Sequence, residues 1–74
     1  MKNEKLKLFD TVAILKDMPD KKVVLGQVGT IVEELDGEYF EVEFADKNGE
    51  TISEFAVKAD DLMLLHYEME FVGK

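Results

Sequence analysis

Cysteine is absent from this 74-residue chain, so neither a disulfide framework nor a thiolate metal site is open to it. Its absence fits a reducing compartment. Tryptophan is absent too, and a groove that reads proline-rich ligands needs clustered aromatics that include it. Histidine and serine each occur once, as His66 and Ser53. One imidazole makes no zinc cluster, and a Ser-His-Asp site would need these two single residues to converge. No apolar run approaches the about 20 residues of a membrane span. The charged opening Met1-Lys2-Asn3-Glu4-Lys5 is not followed by the apolar stretch of a signal peptide. The expectations are a cytoplasmic chain with no membrane role, no cofactor, no metal and no enzymatic activity.

Charge is abundant and unevenly placed. The net charge is −8. Residues 1–32 carry six lysines against four acids, whereas residues 33–61 carry eleven acids against two lysines. The middle of the chain therefore presents a negative surface, which repels phosphate backbones and attracts basic partners. Acidic side chains also keep a small domain soluble.

Seventy-four residues leave room for one core and one domain, about residues 8–66, followed by an extension over 67–74. Leu8-Phe9-Asp10-Thr11-Val12-Ala13-Ile14-Leu15-Lys16 reads as a first strand. Pro19 breaks it, and a long polar-tipped loop runs to Gly26. The second strand is Gln27–Glu34, its start flanked by Gly26 and Gly29 as at a bulge or bend. Asp36-Gly37 suits a tight type I′ turn with φ above zero at both positions. In Glu38–Phe44, Phe40, Val42 and Phe44 share one face while Tyr39, Glu41 and Glu43 share the other, the mark of a half-buried strand. Asn48-Gly49 is the strongest hairpin signal. The fourth strand, Glu50–Lys58, puts Thr51, Ser53, Phe55 and Val57 toward the core. Ala59-Asp60-Asp61-Leu62 suits a single 3-10 turn, and Met63–His66 a short last strand.

This order predicts an all-β fold, a small five-stranded SH3-like barrel with a 3-10 turn before the last strand. Beyond it, Tyr67, Met69 and Phe71 alternate with acids and would give an apolar strand edge for association, including a homodimer. Asp46-Lys47-Asn48-Gly49-Glu50 resembles the start of a calcium loop. The helices that flank such a loop are missing, and a hairpin turn explains every residue.

Leu8-Phe9-Asp10-Thr11-Val12-Ala13, then Gly26-Gln27-Val28-Gly29-Thr30-Ile31-Val32-Glu33, resemble an uncharacterised bacterial family, domain of unknown function 4926. Tyr39–Phe44 and Ala59–Leu62 fit the same pattern, so the resemblance covers roughly residues 8–65. It implies a short SH3-like barrel, and no functional residues come with it. Gly26–Val32 is also similar to the glycine turn of KOW modules and to the barrel ending the nitrile hydratase β subunit. RNA-binding KOW modules bring lysine and arginine to their loops. Arginine is absent here, so no nucleic-acid partner is expected.

Two readings of function follow. One is a non-catalytic protein-interaction module, in its concrete form an acidic neutralising partner of the antitoxin or immunity kind for a basic protein. It would dock its partner through the acidic face of Tyr39, Glu41 and Glu43, through the loop around Met18 and Pro19, or through the tail. The other is a structural or accessory domain that self-associates or packs on a larger enzyme through Tyr67, Met69 and Phe71.

Overall fold

Apolar residues at every second position make one side of an extended chain greasy, and that side must be covered. The computed structural model describes residues 6–66. Within them, β1 (Thr11–Ile14), β2 (Val28–Glu34), β3 (Tyr39–Ala45), β4 (Thr51–Lys58) and β5 (Leu62–Leu64) form one antiparallel sheet in the order β4-β3-β2-β1-β5. A 3-10 turn, Ala59–Asp61, precedes β5, and a second, Pro19–Lys21, sits in the long loop. The all-β class, the five strands and the turn before the last one are as the sequence predicts. Closure is not. The sheet starts at β4 and ends at β5, so the expected barrel is an open sheet with two edges. Among the described residues, β5 is three residues long and has β1 as its one neighbour, with no ladder joining it to β4.

Both ends of the sheet contribute to a single core of Val12, Ile14, Val23, Ile31, Phe40, Val42, Phe44, Val57 and Leu62. Phe44, Val42, Ile31, Ile14, Val12 and Val23 are fully buried, each such side chain worth about 1.5–3 kcal/mol in transfer from water. Phe55 departs from its expected place in that core. Standing on the edge strand, it is only half-buried. It stacks on Phe44 at 5.3 Å between ring centroids and lies under the Lys21 ammonium, also 5.3 Å away.

Several element limits differ from the alternation reading. The ladder of β1 begins at Thr11 rather than Leu8, because Leu8 and Phe9 form a turn in which Asp10 N–H donates to the Lys7 carbonyl at 3.1 Å. Lys7 N–H donates to the Asp10 carboxylate at 2.9 Å, and Phe9 takes φ +70°, which no strand can contain. The last strand stops at Leu64 instead of His66, although Leu65 N–H still donates to Thr11 C=O at 2.9 Å.

The turns also differ in kind. At Asp36-Gly37 only Gly37 has positive φ, so this is no type I′ pair; the Asp36 carboxylate instead accepts from Glu38 and Tyr39 N–H, each at 3.1 Å. At Asp46–Gly49 the Gly49 N–H donates to Asp46 C=O at 2.9 Å, again with only the glycine at positive φ. Two bulges break strict alternation. The register skips Val32 between β2 and β3, and skips Ile52 between β3 and β4. The second bulge explains why Thr51 is exposed rather than core-facing.

Gly29 is needed for a reason other than a bend. It lies opposite Phe44 in the β2–β3 register, and a Cβ there would stand 2.8 Å from side-chain carbons of both Phe44 and Val42. The inward side chains of Phe44 and Val42 occupy the space a larger residue would need.

Candidate functional site

Residues that alternate with a buried set must face outward. On β3, Phe40, Val42 and Phe44 are buried, which turns Tyr39, Glu41 and Glu43 to the opposite face. Pairing then decides their neighbours. On the β4 side, Tyr39 lies opposite Lys58, Glu41 opposite Ala56 and Glu43 opposite Glu54. On the β2 side, Glu33 lies opposite Glu41 and Thr30 opposite Glu43. Three adjacent strands thus bring Glu33, Glu41, Glu43 and Glu54 onto one outer face, with Tyr39 at its margin.

Like charges placed directly across a ladder repel. The Glu54 carboxyl holds its proton above the usual carboxylate range. Desolvation by its neighbours contributes most, followed by a hydrogen bond with Glu41 and the charges of Glu41, Glu43 and Glu33. Glu43 is also tied down, its Oε2 accepting from the Thr51 hydroxyl. The ion pairs among the described residues, Lys7–Asp10 and Lys16–Asp61, lie elsewhere; Lys58, opposite Tyr39, stands on this face but is in neither of them.

The structure brings together Tyr39, Glu41 and Glu43, as the alternation of β3 requires. Tyr67, Met69 and Phe71, the other candidate contacts, lie outside the described residues. Glu33 and Glu54 extend the face beyond the sequence-predicted set. Strict alternation puts Glu33 beside Ile31 on the inward side, and only the bulge at Val32 brings it opposite Glu41. The signal was the acidic pair Glu33-Glu34 directly after Ile31-Val32, which a strand buried to its end would not carry.

Adjoining this face, a depression of about 610 Å³ has Val24, Leu25, Val28, Glu43, Ala45 and Lys47 among its lining residues. Val24 and Leu25 are 58% and 61% exposed, so these two are apolar surface rather than core. Among the described residues no group of three or more His, Cys, Asp or Glu side chains is placed to hold a metal ion. In the segment that resembles a calcium loop, the Asp46 carboxylate is already engaged, accepting from Asn48 N–H at 2.8 Å and Glu50 N–H at 3.0 Å. No helix among the described residues is long and apolar enough to cross a membrane.

The molecule is thus defined as a small all-β domain, an open five-stranded antiparallel sheet with an acidic outer face. The chain belongs to the family described as Domain of unknown function (DUF4926), whose family model matches residues 8–64. No curated protein and no solved structure matches it.

Proposed function

We propose that this domain is a protein-interaction module whose outer face receives a basic partner, in the manner of an acidic neutralising protein of the antitoxin or immunity kind. One observation carries the reading: four carboxylates from three paired strands share one face on which, among the described residues, no lysine is ion-paired. A fixed row of like charge attracts a basic surface over a distance of about a Debye length and speeds encounter. Tyr39, 39% exposed beside the row, offers the amphipathic aromatic surface that interfaces favour.

The test compares the full chain with an E33Q/E41Q/E43Q variant as bait at low and high salt, followed by binding kinetics on each basic protein retained. The native face is expected to hold basic proteins at low salt, with association slowed at least about tenfold by high salt. The neutralised variant should lose them under both conditions. Equal retention by the two baits overturns the reading.

A further inference from the structure

We infer that β4 is a self-complementary edge through which two copies of this chain pair antiparallel about a two-fold axis at Ala56. The inference starts from backbone direction. Ala59 N–H donates to Glu38 C=O at 2.8 Å, immediately beyond the Tyr39–Lys58 pair. In an antiparallel ladder, hydrogen-bonded and non-hydrogen-bonded pairs alternate. Phe40–Val57, Val42–Phe55 and Phe44–Ser53 are then the pairs that exchange hydrogen bonds across β3 and β4. Glu54, Ala56 and Lys58 turn their N–H and C=O groups away from β3, toward the open side of the sheet. Bonds in the β2–β3 hairpin agree. Leu35 N–H donates to Tyr39 C=O at 3.0 Å, which assigns Tyr39 and Glu41 to β2 and leaves Phe40 and Val42 to β4.

Side chains on this edge fit a second copy better than they fit solvent. Set antiparallel with Ala56 opposite Ala56 of the other copy, Glu54 faces Lys58 of that copy, and Lys58 faces its Glu54. Symmetry repeats each contact, as an isologous interface requires. The small Ala56 side chains meet at the axis, where nothing bulky holds the strands apart. Within one copy, neither Glu54 nor Lys58 has an ion-pair partner among the described residues. Glu54 has only Glu43 across the ladder, so the other copy's Lys58 supplies the cation this site lacks. The bulge at Ile52 ends the straight part of the edge, which limits the joint to Ser53–Lys58. Such a short joint between chains of net charge −8 makes a weak, concentration-dependent dimer.

The full chain is tested by sedimentation equilibrium from about 10 μM to about 1 mM, the range of weak association. A monomer–dimer equilibrium is expected. E54K and K58E should each weaken it at least about tenfold, because symmetry counts every reversed pair twice. The exchanged double variant E54K/K58E should return it to within about threefold of the native value, since opposite charges face each other again. Amide hydrogen exchange gives a second reading. Protection of Glu54, Ala56 and Lys58 should rise with protein concentration while that of Val57 stays constant. A monomer at every concentration overturns the inference, and so does a double variant as weak as the singles. Protection of the three amides that is independent of concentration also overturns it, because something other than a second copy would then occupy the edge. The E33Q/E41Q/E43Q variant keeps both Glu54 and Lys58 and should dimerise normally, so failure here is separate from failure of the basic-partner reading.

Discussion

Single residues decide more of this structure than its length suggests. Gly29 sits where β2 passes against Phe44 and Val42 of β3, and adding one methyl group would force both side chains to move. Gly29→Ala should therefore lower stability by about 1–3 kcal/mol, the usual cost of overpacking a filled core. Urea unfolding monitored by circular dichroism measures it, and an unchanged midpoint would refute the crowding argument. Glu54 acts in the opposite sense. In the folded chain it keeps its proton at pH values where the unfolded chain has released it, so the native state binds more protons there and stability falls as pH rises through that window. Glu54→Gln removes the ionisation. It should raise the melting temperature at neutral pH and leave it unchanged once the pH lies below the ordinary carboxylate range. The measurement belongs at low protein concentration, below the range of the proposed dimer, and a lower neutral-pH melting temperature would contradict this account of Glu54, in which desolvation comes before the neighbouring charges.

At the scale of elements, the hairpins were the most legible part of the sequence and their geometry the least. Gly37 and Gly49 announced the two reversals correctly, because a turn with positive φ needs glycine at that point. The turn type was decided by Asp36 and Asp46, whose carboxylates gather backbone N–H groups that a two-residue turn would have paired otherwise. Removing that acceptor in Asp46→Ala should cost about 1 kcal/mol. Exchange of the Asn48 and Glu50 amides should quicken with it, and unchanged exchange would mean the turn holds without the carboxylate. Bulges were illegible for a related reason. Val32 and Ile52 have ordinary β-branched side chains, and nothing in such a residue marks it as unpaired; the register of its neighbours reveals it. The acidic face was accordingly half visible. Tyr39, Glu41 and Glu43 followed from period two along one strand, whereas Glu33 and Glu54 depend on which strands pair and where they slip.

For the whole molecule, composition and punctuation predicted a β domain of five strands, and that is what the sheet contains. The order of strands determined where prediction and structure part. Placing β4 at an edge left Phe55 half-covered, although its alternation with Val57 reads as core. The first strand, by contrast, lies inside the sheet, with β2 on one flank and β5 on the other. Thr11–Ile14, the first strand in chain order, thus pairs with the last, Leu62–Leu64. On the ribosome, a nascent chain that has not yet released Leu62–Leu64 holds β1 with one flank bare and the core without Leu62. Synthesis must pass Leu64 before this sheet can be completed, so the first strand made waits for the last one before both of its flanks are paired.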